Sequence, residues 1–136
     1  MTSPRVLVIE NHWDTRYLCA TLLELAGYRV VQVEDGGDAA EMLEHLRPSL
    51  ILVNPEATRR QGLDVLAAAR SIAGIALPVV ALAAPVSSGD RHRALAAGFA
   101  AFLTKPCNPH ELVREVERLI GPGGFAGSPS GAAAAA

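Results

Sequence analysis

Cysteine is scarce in this chain: Cys19 and Cys107 are the only two. They form no CxxC pair and fit no metal-ligand spacing, so no cysteine zinc site of the usual kind is indicated. So few thiols suit a reducing, cytoplasmic setting. Cys19 falls in an apolar helical pattern and reads as a small core hydrophobe. Cys107 follows a proline and is expected to be partly exposed.

Charge of one sign is not concentrated anywhere. Twelve Lys and Arg stand against fourteen Asp and Glu, a net charge of -2. Without a basic block, nothing points to a nucleic-acid face. Arg59 and Arg60 read as part of a solvated loop. Long hydrophobic runs are also missing. Residues 6–9 are too short for a secretory signal. The longest apolar stretch, 72–86, is broken by Gly74, Pro78 and Pro85 and falls short of the roughly 20 residues of a membrane helix. No internal repeat, GxSxG, P-loop or Cys/His dyad is present, so no enzyme reading arises. His12, His45, His92 and His110 have no HxxxH spacing and suggest neither a metal cluster nor a phosphohistidine.

What is present is apolar patterning, in half of the 136 residues. That is enough for one domain. Strand-like runs stand at 5–10, 29–33, 50–53, 78–83 and 100–104, the third being the continuous apolar LILV of a strand covered on both faces. Helical spacing predicts helices over 14–26, with Tyr17, Leu18, Leu22, Leu25 and Ala26 on the apolar face, and over a stretch opened by Asp35 or Gly36 and stopped by Pro48. Further helices are expected over 63–72, 88–97 and 109–120, the last with Pro109 in its first turn. Asp14 is an N-cap or a first-turn acid, and Gly27 ends the first helix. A polar loop, 54–62, follows the third strand.

Strict alternation of five strands and five helices implies βαβ units, right-handed crossovers and a parallel sheet with helices on both faces. The working site of such a sheet lies at the strands' carboxyl ends. Those positions hold Glu10 and Asn11, Asn54, Ala83 and Ala84, and Lys105. Residues 1–121 form the expected domain. The Gly-, Pro-, Ser- and Ala-rich segment 122–136 is expected to be a disordered tail, and its terminal alanines are either native or added.

The segment GDRHRALAAGFAAFLTKPCNPHELV (89–113) closes a helix with AAG and then runs through a short strand into a Thr-Lys-Pro corner and a last helix. Together with RVLVIEN (5–11), AGYRVVQVEDGGDAAEML (26–43) and PSLILVN (48–54), it resembles the receiver family of two-component signalling, over about residues 4–120. The resemblance implies a flavodoxin-like (βα)5 fold, strand order 2-1-3-4-5, in a bacterial phosphorelay. In that family an aspartate after the third strand accepts a phosphoryl group from a histidine kinase. Two acids after the first strand help it to hold Mg²⁺. A Lys and a Ser or Thr bind the phosphoryl oxygens, and an aromatic in the fifth strand switches rotamer.

Matched to this sequence, the acidic pair is Glu10 and Asn11, the acceptor position is Asn54, the hydroxyl position is Ala83, and Lys105 and Pro106 remain. The switch aromatic is Phe102. The degenerate pocket is therefore Glu10, Asn11, Asn54, Ala83 and Lys105. A carboxamide is a poor substitute for a carboxylate nucleophile, and Mg²⁺ prefers carboxylate oxygens. Deamidation of Asn54 needs the next backbone N–H, which Pro55 lacks.

The expectation is an atypical receiver that takes no phosphate and no cofactor and acts as a protein-interaction module. Its partner would be a histidine kinase, a phosphotransfer protein or another regulator, met through the 88–120 face or, next, the first helix. A homodimer is a further possibility. Neither nucleic acid nor membrane is expected, and no DNA-binding output segment is recognised. Two alternatives stay open. One is an active receiver with Glu10 and Glu56 as weak candidate metal ligands. The other is a small ligand in the crevice of Glu10, Asn11, Asn54 and Lys105. Lys105 is expected to pair with Glu10, contributing about 0–1 kcal/mol if exposed. The resemblance also implies a cis peptide before Pro106. Phe102, with Phe99 and Pro106 nearby, is the expected aromatic at a partner surface. Trp13 covers the crevice, joins a partner surface or, as the favoured reading, is partly packed.

Overall fold

In a computed structural model of the chain, residues 3–123 are described. The elements run β1 (Arg5–Ile9), α1 (Trp13–Leu25), β2 (Arg29–Val33), α2 (Ala39–Leu46), β3 (Leu50–Val53), α3 (Leu63–Ala73), β4 (Val79–Ala83), α4 (Ser88–Ala97), β5 (Ala101–Thr104) and α5 (Pro109–Ile120). All five strands are parallel, in the order β2-β1-β3-β4-β5. This is the flavodoxin-like arrangement expected from the sequence.

Alternation along each strand splits the core into two layers. Leu7, Ile9, Ile51, Val53, Val79 and Ala81 face one side, where Leu43 of α2 and Val65, Leu66 and Ala69 of α3 pack on them. Val6, Val8, Leu50, Leu52, Val80 and Leu82 face the other, against Cys19 and Leu23 of α1 and Leu112 and Val116 of α5. All four residues of β3 are buried, because helices cover both faces of the central strand.

Local chemistry sets the helix limits. Asp38, rather than Asp35 or Gly36, caps α2, its carboxylate accepting from the Glu41 N–H at 3.1 Å. Ser87 and Asn108 cap α4 and α5 in the same way. Asp14 is a first-turn acid of α1, whose N-cap position is His12. The loop 54–62 is more ordered than its polarity suggests. Pro55–Ala57 forms a 3₁₀ turn capped by Asn54, and Arg60, Gln61 and Gly62 follow with positive φ. A Cβ at Gly62 would stand 2.9 Å from the Phe99 ring, so both its φ of 86° and its packing require glycine. Arg59 and Arg60 are exposed, as expected. Of the expected tail 122–136, residues 124–136 lie outside the described residues.

The expected face of α1 needs correction. Its buried residues are Cys19, Ala20 and Leu23. Tyr17, Leu18 and Leu25 are instead exposed, at 63%, 43% and 77%. Trp13 is 70% exposed, against the expectation of partial packing. Helical periodicity recognised the helix, but the helix carries more apolar residues than the sheet can cover, and spacing alone does not select among them. Leu23→Ala should lower the unfolding free energy by about 2–5 kcal/mol, and Leu25→Ala should change it by less than about 0.5 kcal/mol, both read by urea denaturation.

Candidate functional site

The strand order reverses beside β1, so the carboxyl ends of β1 and β3 open a crevice at the switch point. Backbone ladders place its residues. The Glu10 N–H donates to Val33 O at 3.1 Å, and the Asn54 N–H donates to Ile9 O at 2.8 Å. These bonds carry two polar side chains into a buried position, Glu10 at 1% exposure and Asn54 at 3%.

The crevice is internally paired. Asn54 Nδ2 donates to Glu10 Oε2 at 3.0 Å and to Asn11 Oδ1 at 3.1 Å. Asn54 Oδ1 accepts from the Glu56 N–H at 3.0 Å. The His12 N–H also donates to Glu10 Oε2, at 3.1 Å. Lys105 Nζ lies 2.8 Å from Glu10 Oε1. Among the described residues no other donor reaches Oε1, so the ion pair with Lys105 is what compensates it. Burial alone would raise the Glu10 pKa. Lys105, Asn54 and the His12 N–H outweigh it and hold the carboxyl below its ordinary value.

The structure thus brings together four of the five expected pocket residues, Glu10, Asn11, Asn54 and Lys105. Ala83 has no polar side chain to join this set, but its carbonyl accepts from the Lys105 N–H at 2.8 Å. With Phe99, Phe102 and Glu56 it lines a neighbouring cavity of about 520 Å³ under α4. His12 is the member that sequence reasoning missed. Its Nδ1 lies 3.2 Å from Glu10 Oε2 and 3.2 Å from Lys105 Nζ. A single ring nitrogen serves only one of these contacts at a time. Its place directly after Asn11 was the available signal.

This donor set does not fit Mg²⁺. The ion prefers oxygen ligands with carboxylates among them. Here the single buried carboxylate is neutralised by Lys105, and Asn54 turns its N–H₂ group, not an oxygen, toward the crevice. Glu56, the other candidate, is exposed and faces the cavity beside α4. Among the described residues no group of three or more His, Cys, Asp or Glu is gathered to hold a metal.

The aromatic expectation is overturned. Phe102 and Phe99 are buried at 9% and 6% exposure, not presented to a partner. The Arg91 guanidinium sits 5.1 Å from the Phe102 ring centroid and donates to Phe102 O at 2.9 Å, which pins the ring inward. Pro106 is exposed, and the Lys105–Pro106 peptide is cis, as the resemblance implied.

Residues 6–117 match the response regulator receiver domain family. The chain belongs to that family. An uncharacterized 14.6 kDa protein of Leptolyngbya boryana is 33% identical over 83% of this receiver and 87% of its own length. The transcriptional regulatory protein PrrA of Mycobacterium tuberculosis is 33% identical over 88% of this chain and 51% of the relative. The chain spans about half the length of the regulators PrrA, PhoB and PdtaR that it matches. Among solved structures, the signal receiver domain of a LuxO repressor protein from Vibrio parahaemolyticus superposes with a TM-score of 0.77 at 27% identity, over 87% of this chain and 90% of that one. The receiver domain of NarL from M. tuberculosis gives 0.74 at 27% identity, over 87% and 96%. Among the described residues no helix is long and apolar enough to cross a membrane.

The Glu10–Lys105 pair is not exposed: its side chains are 2% and 18% accessible, so the small contribution of an exposed pair does not apply. Lys105→Met strands the carboxylate and should cost about 2–4 kcal/mol, most of it recovered in the Glu10→Gln/Lys105→Met double variant, by urea denaturation. Because the folded pKa of Glu10 lies below its ordinary value of 4.5, its stabilisation is present above about pH 4.5 and is lost as pH falls through the folded value. Glu10→Gln should flatten that acid limb.

Proposed function

We propose that this receiver is a phosphorylation-independent interaction module that meets a protein partner through α1. One observation carries the reading: Asn54 uses its amide N–H₂ to bond Glu10 and Asn11, while Lys105 neutralises Glu10. Phosphoryl transfer depends on positioning and on charge neutralisation by metal. Here the acceptor position carries a carboxamide and the metal position carries a cation–carboxylate pair. Each missing group costs on the order of 10²–10⁴ in rate in other systems. An enzymatic role has no support in these residues.

The inward Phe102, clamped by Arg91, supports a switch element held in one state without phosphate. For the partner surface, α1 is favoured over the 88–120 face. Trp13 and Tyr17 stand one helical turn apart and both are more than 60% exposed. The 86–97 region offers Val86 and Leu95, at 44% and 43%. Rigid, amphipathic aromatics of this kind anchor interfaces. A histidine kinase or phosphotransfer helix is the partner class this face suits, and a second receiver is the alternative. The reading puts this work in the cytoplasm, where partners of the family's phosphorelays meet.

Incubation with acetyl phosphate and Mg²⁺ should leave the intact mass unchanged, and a phosphoryl increment would refute the reading. Trp13, the sole tryptophan, directly follows His12 of the crevice, and its fluorescence should stay constant on Mg²⁺ titration. Asn54→Asp should behave differently. It places a second carboxylate about 3 Å from Glu10 Oε2, where like charges repel. With Asn11→Asp added, the variant should lose stability without metal, regain it with Mg²⁺ and show a Trp13 response. Trp13→Ala with Tyr17→Ala should abolish partner capture while leaving the fold intact by circular dichroism.

A further inference from the structure

Cys19 and Cys107 are 88 residues apart in sequence, yet their sulfurs lie 3.8 Å apart. Cys19 is fully buried on the core face of α1. Cys107 is half-buried in the connection between β5 and α5, one residue before the Asn108 cap. We propose that these thiols form a peroxide-responsive dithiol–disulfide site that ties α1 to the β5–α5 connection. This inference goes beyond the interaction reading and does not depend on it.

The geometry is favourable. A disulfide needs the sulfurs at about 2.05 Å, so they must approach by roughly 2 Å. Cys107 belongs to neither strand nor helix, so its backbone and χ1 can supply most of that movement. Exposure divides the roles. An oxidant in solvent reaches Cys107 and not Cys19. The Cys19 S–H donates to the Cys107 sulfur, and this holds the Cys107 thiol below its ordinary pKa, against burial and the nearby Glu111. The same contact, with burial, pushes Cys19 up. A lower pKa favours the thiolate that reacts with peroxide.

The steps balance. The Cys107 thiol attacks one oxygen of hydrogen peroxide, the O–O bond breaks, and Cys107 sulfenic acid and one water form. The Cys19 sulfur then attacks the Cys107 sulfur. The S–O bond breaks, and the hydroxyl leaves as water with the Cys19 proton. Two electrons pass from the two sulfurs to the peroxide. Contact in the folded state makes the second step effectively unimolecular. Transient disulfides of this type are the form in which cytosolic disulfides usually act. The bridge would lie two residues from Lys105 and at the middle of the helix that presents Trp13 and Tyr17.

The test uses the full reduced chain and hydrogen peroxide in slight excess. The expected result is a mass loss of two hydrogens in a monomer, a crosslinked peptide pair holding Cys19 and Cys107, and protection of both thiols from iodoacetamide that dithiothreitol reverses. Cys19→Ala should instead leave a Cys107 sulfenic acid that dimedone captures. Should that core variant fail to fold, Cys107→Ser replaces it, and its Cys19 should stay unoxidised by peroxide. Two thiols that remain alkylatable in the folded wild-type chain, or oxygen added to Cys107 without a bridge, or bridges only between chains, would each overturn the proposal.

Discussion

A buried carboxylate that must be neutralised organises the working end of this receiver. Glu10 is carried below the surface by the β1 ladder, and water cannot solvate it there. Lys105 from the far side of the crevice supplies the countercharge, and Asn54 and His12 supply hydrogen bonds. These partners come from the ends of β1, β3 and β5. The sheet order brings those ends together, so the electrostatics and the topology support each other. A divalent ion is one way to neutralise such a crevice. Here the side chains do it themselves.

The same economy extends to the α4 side. Ala83 leaves no hydroxyl at the mouth of β4, and the space beside it joins the cavity lined by Phe99 and Phe102. Arg91 closes over Phe102 from α4, and α4 has no buried residue of its own. The Arg91 cation lies over the ring and bonds the main-chain carbonyl, and the ring itself has no hydroxyl for a hydrogen bond. On the opposite layer α1 buries only three side chains and leaves four large apolar ones in water. The proposed interaction face rests on that exposed surface.

The fold was legible because its signals are local. Each strand is an apolar run, each helix has a cap or a breaker, and their alternation permits few topologies. The occupants of the pocket positions were legible by the same logic, since strand ends in a parallel sheet share one edge. The failures have one origin. Tyr17, Leu18 and Leu25 satisfied the helical period, yet the sheet took Cys19, Ala20 and Leu23 instead. Phe102 was read as displayed, yet it turned inward under Arg91, a partner eleven residues away. Periodicity reports that a helix or strand exists but leaves its rotation against the rest of the core undetermined.

By itself the sequence determined the alternating fold, the absence of a carboxylate at position 54 and the survival of Lys105, because these depend on residue type and order. Only the tertiary structure decided that the Asn54 amide would point its donors at Glu10 and Asn11, that His12 would join them, and that Cys19 and Cys107 would meet. Hydrogen-bond direction and contact between distant segments are set by how helices seat on a sheet. That seating is a property of the whole packed core, and no local window of residues contains it.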